Sequence, residues 1–154
     1  MPLDLEEQEK LDELKAFWQK YRNLITGVIT AALFAYAAYN GYQWWRTSQA
    51  AAASQLYETM VTAINKGDKD QTLRAADDLQ KQFSSTPYAA MSSLVAAKIA
   101  SDAGDTAKAM DYLRWAAKNA SDQGYLALAK LRLTAQLIEL GTEKDFAEAD
   151  AILK

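Results

Sequence analysis

An uncharged stretch of 23 residues, from Asn23 to Trp45, limits the possible folds of this chain more than any other feature. A helix of that length extends about 34 Å, at roughly 1.5 Å per residue. The hydrocarbon core of a bilayer is about 30 Å thick, so the stretch is long enough to cross a membrane once. Aromatic residues flank it, as they do at membrane interfaces, namely Trp18, Tyr21, Tyr42, Trp44 and Trp45. We predict a single transmembrane anchor over residues 23–45.

Two other structures are consistent with an apolar stretch near the N-terminus. A buried helix of a soluble protein accounts for neither the length nor the flanking aromatic residues. A cleaved signal peptide is the sharper alternative, because Ala50, Ala51 and Ala52 form an A-x-A pattern. The apolar region of a signal peptide is only about 7–15 residues long, however. We therefore favour an uncleaved anchor.

Basic residues close to the span predict its orientation. Four of them precede the span within the tail, whereas only Arg46 and Lys66 lie within about 20 residues after it. The positive-inside rule then places residues 1–22 in the cytoplasm and residues 46–154 on the other side of the membrane. Apolar tail residues recur at helical spacing and predict an amphipathic helix, which lies on the lipid headgroups or docks a partner: Leu11, Leu14, Trp18 and Tyr21.

Small residues form a stripe along the predicted anchor. Gly27, Ala31, Ala35 and Ala38 follow one another at spacings of four, four and three. Small side chains let a second membrane helix approach closely, and close packing drives association in lipid. We expect these four residues to mark a helix contact, with a partner subunit or with a second copy of the chain. Small residues are also common filler in membrane helices.

Glycines recur at equal intervals beyond the anchor. Gly67, Gly104 and Gly141 are each 37 residues apart, and each suits the left-handed position that ends a helix. Thr86 and Pro87 mark a second break within the repeat, as a cap and a first helical residue. Such a period predicts a tetratricopeptide-like solenoid of helix pairs in an all-α fold. The predicted helices are 48–66, 69–83, 87–103, 105–119, 122–140 and 143–153, with the anchor helix continuing into the first.

The residue types that are missing exclude several kinds of chemistry. The chain has no cysteine and no histidine, so Ser-His-Asp, Cys-His and His- or Cys-ligated zinc sites cannot form. It also lacks a phosphate-binding loop and a basic patch, so we expect no enzyme activity, no cofactor and no nucleic-acid binding. We expect the neighbouring carboxylates to be solvated or capping groups: Asp77, Asp78, Asp102 and Asp105.

Aromatic and methionine side chains on the first helix of each pair could line a binding face. These are Tyr57, Met60, Tyr88, Met91 and Tyr125. We expect most of them to pack between helices instead.

In its arrangement the chain resembles the YfgM-type ancillary subunits of the SecYEG translocon, a bacterial inner-membrane family. The residues that carry the resemblance are Glu7–Glu9, Leu14–Trp18, the anchor from Asn23, Tyr42–Arg46 and Ala50–Tyr57. The resemblance implies a periplasmic tetratricopeptide-like domain that associates with the translocon and with a membrane-anchored chaperone of the PpiD type. It also implies a chaperone-like role for client polypeptides that emerge from the channel, and a domain that continues past residue 154. The alternative is a periplasmic repeat protein, anchored or released by cleavage, that organises envelope assembly or cell division.

Overall fold

The computed structural model describes the backbone of residues 5–153 and the side chains of residues 10–152. The described residues form six helices and no strand, so the all-α fold is confirmed. The helices are α1 (Leu5–Asn65), α2 (Lys69–Gln82), α3 (Pro87–Asp102), α4 (Thr106–Asn119), α5 (Gln123–Leu140) and α6 (Glu143–Leu153). From residue 65 onward, each helix end lies within one residue of its predicted position. The anchor helix continues into the first helix of the repeats, as predicted.

The chain divides into two compact units, residues 1–45 and residues 46–154. Within the described residues, the first unit consists of the N-terminal part of α1. The second unit contains the rest of α1 and helices α2 to α6. In the second unit, α2 to α5 each pack against the helix that follows, and α3 also contacts α5. Such nearest-neighbour packing is typical of a solenoid of helix pairs.

The turns at Gly67 and Gly104 each end one helix and position the residue that caps the next. Gly67 and Gly104 have φ angles of +71° and +81°, a left-handed conformation that costs glycine little. The amide of the following aspartate, Asp68 or Asp105, donates to a carbonyl of the preceding helix, at Ala63 or Ala100. The same aspartate then caps the next helix, since its carboxylate accepts from the amide of Gln71 or Lys108.

At the second break, between α2 and α3, a helix begins without a hydrogen bond from the side chain of its cap residue. Thr86 occupies the N-cap position of α3 and Pro87 the first helical position, as predicted. The Thr86 hydroxyl, however, donates to the carbonyl of Phe83 at 2.8 Å and accepts no amide of α3. Thr86 is therefore the predicted cap residue by position, but its side chain supplies no capping hydrogen bond. The proline removes one amide that would need a partner, which lessens the need for such a cap.

The core of the second unit combines large side chains with many alanines. Met60, Leu79, Leu133 and Leu137 are fully or almost fully buried, and they contact alanines from several helices. Alanine allows helix backbones to approach closely, so the large side chains of one helix fill the space above the small ones of the next.

Polar contacts between helices fix their positions within the repeats. The Tyr112 hydroxyl on α4 donates to the carboxylate of Asp77 on α2 at 2.6 Å. Arg114 on α4 donates two hydrogen bonds to Glu148 on α6, at 2.7 and 2.8 Å. A paired guanidinium and carboxylate of this geometry orient two helices more strictly than an apolar contact does.

Candidate protein-interaction groove

A groove of about 450 Å³ lies between α1, α3 and α5 of the second unit. These are the first helices of successive helix pairs, and in a solenoid they line the concave surface. The walls are mainly apolar and include Leu94, Val95 and Leu128. Leu94 is buried, whereas Val95 and Leu128 are half-buried, so the groove exposes apolar surface that the repeats themselves do not cover.

Tyr57 lines the groove and packs against Tyr88, which lies outside it. The rings of Tyr57 and Tyr88 lie 5.7 Å apart at an angle of 47°, a favourable tilted arrangement. Burial raises the pKa of the Tyr57 phenol above its ordinary value, and the neighbouring Tyr125 raises it further. Tyr57 is therefore neutral near pH 7 and presents a ring and a hydroxyl group without charge.

Of the five aromatic and methionine residues considered above, only Met60 is fully buried in the core. Tyr57, Tyr88 and Tyr125 are half-buried against that core, and Tyr57, Met91 and Tyr125 also line the groove. The expectation of packing between helices is thus confirmed for Met60. For Tyr57 and Tyr125 it was incomplete, because both pack against the core and also line the groove. Tyr88 packs against the core without lining the groove, and the half-buried Met91 lines it.

Charged side chains stand at one end of the groove. The Lys98 ammonium lies 3.0 Å from the Asp102 carboxylate, one helical turn away on α3. Arg132 on α5 is exposed and also lines the groove. With one acidic and two basic side chains, this end of the groove has a net positive charge.

The carboxylates that were considered for acid chemistry have structural partners. Asp77 accepts from Tyr112, Asp102 pairs with Lys98, and Asp105 caps α4. Asp77 is therefore a half-buried acceptor between helices, not a solvated or capping group as expected. Asp78 is exposed. In the side chains that the structure describes, no cluster of three or more His, Cys, Asp or Glu residues could hold a metal ion.

The apolar part of α1 differs from the repeats because its large side chains are exposed. Leu24, Leu33 and Phe34 are 64%, 63% and 72% exposed, so no core within the described residues accounts for them. Within that part of the chain, α1 is the one helix long and apolar enough to cross a membrane, judged by its length and composition. The buried-helix alternative does not describe this helix, which instead fits a membrane anchor.

The predicted contact stripe lies on this helix. Gly27, Ala31, Ala35 and Ala38 are all exposed, and a methyl group added at Gly27 would have no neighbour within 4 Å. The four residues share one face, as their spacing requires. Their contact with another helix stays a prediction.

Sequence patterns did not single out the groove residues Val95, Lys98 and Arg132. One signal was available, because Val95 and Arg132 are separated by the 37-residue period and so occupy equivalent positions of successive repeats. A basic residue in α5 thus stands where α3 has an apolar one. The spacing could have placed both residues on the concave face, but only the packing of the helices shows that they border one groove.

Comparisons with known proteins agree with this architecture. Residues 15–154 match the family described as a tetratricopeptide repeat-like domain. The chain is 31% identical over 140 residues to the ancillary SecYEG translocon subunit of Neisseria gonorrhoeae, covering 90% of this chain and 67% of that protein. It is 27% identical to the protein of that name from Haemophilus influenzae, covering 92% and 69%, and 29% identical to the one from Escherichia coli, covering 96% and 68%.

No solved structure matches the chain. The matched stretches include the apolar part of α1 as well as the repeats, so the similarity extends over both units. The names of the relatives and the repeat fold indicate a non-catalytic accessory protein. The chain belongs to the tetratricopeptide repeat-like family and, within it, to the ancillary SecYEG translocon subunits.

Proposed function

We propose that this protein is a membrane-anchored subunit associated with the SecYEG translocon, with its helical repeats in the periplasm. The observation that carries the proposal is the 31% identity to a protein named an ancillary SecYEG translocon subunit, over 140 residues that include the anchor. The exposed apolar helix supplies the attachment, and the grooved repeats supply a surface for other proteins.

In this proposal the repeats have a chaperone-like role for polypeptides that leave the channel. A solenoid with a partly apolar groove can hold unfolded segments without any catalytic group. A membrane-anchored chaperone of the PpiD type is a further expected partner, and the support for it is the family resemblance.

The basic residues of the tail support a cytoplasmic N-terminus. Lys10, Lys15, Lys20 and Arg22 precede the apolar stretch, and Arg46 follows it. Retention of the anchor is supported by the position of the A-x-A pattern. Ala50 to Ala52 lie within α1, and the next residue, Ala53, is fully buried in the core. Cleavage there would divide α1 directly before its first buried core residue.

Site-specific photo-crosslinking within the membrane tests the association. A photoreactive amino acid at Ala31 or Ala35 should capture a translocon or chaperone subunit in intact membranes. The same amino acid at Ile29, on the opposite side of the helix, is the matched control and should give markedly less product. Products from Ala31 and Ala35 that contain lipid alone would contradict the proposal.

A bulky substitution gives an independent measure of the same contact. Ala31→Ile should reduce recovery of translocon subunits when the protein is purified from mildly solubilised membranes, because the added side chain prevents close approach. Ala32→Ile, which lies off the stripe, should leave recovery unchanged. Capture of a second copy of the chain in place of the translocon would indicate a structural dimer instead.

A further inference from the structure

The groove between α1, α3 and α5 has a distinct chemical character at its two ends. Towards one end it is apolar and aromatic, with Tyr57, Met91 and Tyr125. At the other end Lys98, Asp102 and Arg132 provide charge. Since Lys98 and Asp102 pair at 3.0 Å, their charges largely offset each other. Arg132 has no hydrogen bond or ion pair among the described residues, so its positive charge is available to a ligand.

A second hollow of about 270 Å³ continues from the charged end. It shares Leu94, Lys98, Asp102 and Arg132 with the groove and extends to Glu139 on α5. An elongated ligand could therefore pass over Arg132 from one hollow to the other. The negative charge of Glu139 disfavours an acidic group further along, so Arg132 is the position at which an acidic group would be held.

The apolar surface indicates the remaining chemistry of the ligand. Met91, Val95 and Leu128 are half-buried, and a bound segment would remove the rest of their surface from water. The volume of the groove, about 450 Å³, lies within the range of roughly 300–1,000 Å³ that is common for binding sites. It is sufficient for a few large apolar side chains.

We propose that this groove binds an unfolded polypeptide segment in which two or three large apolar residues are followed by an acidic residue that pairs with Arg132. This inference rests on the proposed function, because it names the class of client that a translocon-associated repeat domain would hold. The apolar residues occupy the hollow between Tyr57, Val95 and Leu128. The acidic side chain supplies the negatively charged partner that Arg132 lacks among the described residues.

A charge exchange tests the proposal directly. The probes are two fluorescein-labelled ten-residue peptides, each with three leucines, in which two glutamates of one peptide are lysines in the other. Binding to the full chain in lipid nanodiscs is measured by fluorescence anisotropy, with empty nanodiscs as the blank for peptide that enters the lipid. The wild-type protein should bind the glutamate peptide more tightly than the lysine peptide.

Arg132→Glu should reverse this preference, with each affinity changing by about tenfold, because an attractive pair becomes a repulsive one. Arg74→Glu is the matched control, since Arg74 is an exposed arginine on α2 that lines neither hollow. It should leave the ratio of the two affinities unchanged. Both substitutions replace exposed side chains, so circular dichroism should show intact helices in each variant.

Loss of apolar surface from the groove should weaken the binding of both peptides equally. Leu128→Ala should lower both affinities by about tenfold without changing their ratio. If that variant loses helical structure, Val95→Thr, which keeps the side-chain volume, should still weaken both peptides.

Three results would overturn the inference. They are binding no tighter than to empty nanodiscs, a preference that survives Arg132→Glu, and complete displacement of the peptides by a medium-chain fatty acid. The last result would identify a site for an acyl chain. Crosslinking from Ala31 does not involve the groove, so a failed peptide experiment would leave translocon association standing. Equally, failed crosslinking from Ala31 would leave a positive peptide-binding result standing.

Discussion

The hydroxyl of Thr134, on α5, is a buried oxygen without a hydrogen-bond partner among the described side chains. The residue is only 6% exposed, so water does not replace the missing partner readily. A buried polar group without a partner costs roughly 1–3 kcal/mol. Sequence could not reveal this, because a helical threonine ordinarily bonds to its own backbone and its burial depends on neighbouring helices.

Replacing Thr134 by valine should therefore stabilise the protein. Thr134→Val keeps the shape and removes the hydroxyl, and we expect the free energy of unfolding to rise by about 1 kcal/mol. Thr134→Ser, the control, keeps the hydroxyl and loses a methyl group, so it should lower that free energy. Urea titration followed by circular dichroism measures both. A valine variant less stable than the wild type would show that the hydroxyl has a partner in solution.

Tyr112 makes stability depend on pH in the alkaline range. Burial, followed by the hydrogen bond to the Asp77 carboxylate, raises the pKa of the Tyr112 phenol well above its ordinary value of about 10. A raised pKa means that the stabilisation is complete below about pH 10 and is lost as pH rises through the higher value in the folded protein. Tyrosine alone does not predict this, since the partner comes from a helix 35 residues earlier.

Tyr112→Phe should lower the free energy of unfolding by about 1–2 kcal/mol near neutral pH. The variant should also lack the part of the alkaline loss of stability that Tyr112 causes. Tyr88→Phe is the control, because the Tyr88 hydroxyl makes no hydrogen bond within the described residues. Urea titrations between pH 7 and pH 11 provide the comparison. Parallel pH profiles for the wild type and Tyr112→Phe would rule out this role.

At the scale of helices, glycine spacing and capping residues located the helix ends closely. These signals are local, because a positive φ angle favours glycine, and Gly67, Gly104 and Gly141 all have one. Aspartates, which cap helices, follow two of the three. The polar contacts between helices were not predicted. The pairing of Arg114 with Glu148 depends on how α4 and α6 approach, which the sequence period does not specify.

The contact between Arg114 and Glu148 should hold α6 against α4. Glu148→Gln removes one charge of the pair, and amide hydrogen exchange in α6 should become about threefold faster while exchange in α3 stays unchanged. Glu139→Gln, on α5, is the control and should leave α6 unaffected. Equal exchange rates in Glu148→Gln and in the wild type would mean that apolar packing alone holds the helix.

The same pair predicts sensitivity to acid. Hydrogen bonds from the Arg114 guanidinium lower the pKa of Glu148 below its ordinary value of about 4.3. A lowered pKa means that the stabilisation is present above about pH 4.3 and is lost as pH falls through the lower value in the folded protein. Exchange in wild-type α6, corrected for the intrinsic effect of pH, should therefore approach that of Glu148→Gln in this range.

For the whole molecule, sequence predicted the anchor, the repeat fold and the family. Length and composition carry the information about the anchor, and an equal interval between glycines carries the information about the repeats. The groove was predicted only in part. Its tyrosines and Met91 stood out as residue types, but Arg132 borders the groove only because of its position beside α1 and α3.

Because the chain has no cysteine, its membrane orientation can be tested with single-cysteine variants. A maleimide that does not cross membranes should label Ser121→Cys, in the repeats, when it is added to intact spheroplasts. It should label Lys15→Cys, in the tail, only after the membrane is opened. Both positions are exposed, so access depends on the side of the membrane. The reverse pattern would place the repeats in the cytoplasm.

The walls of the groove come from residues far apart along the chain, from Tyr57 on α1 to Arg132 on α5. During synthesis, therefore, the groove cannot form until the chain has been made as far as Arg132. An incompletely synthesised chain would expose the apolar residues of α1 and α3 without a complete groove. If the repeats cross the membrane as proposed, the groove can bind a client only after α5 has followed α1 and α3 across.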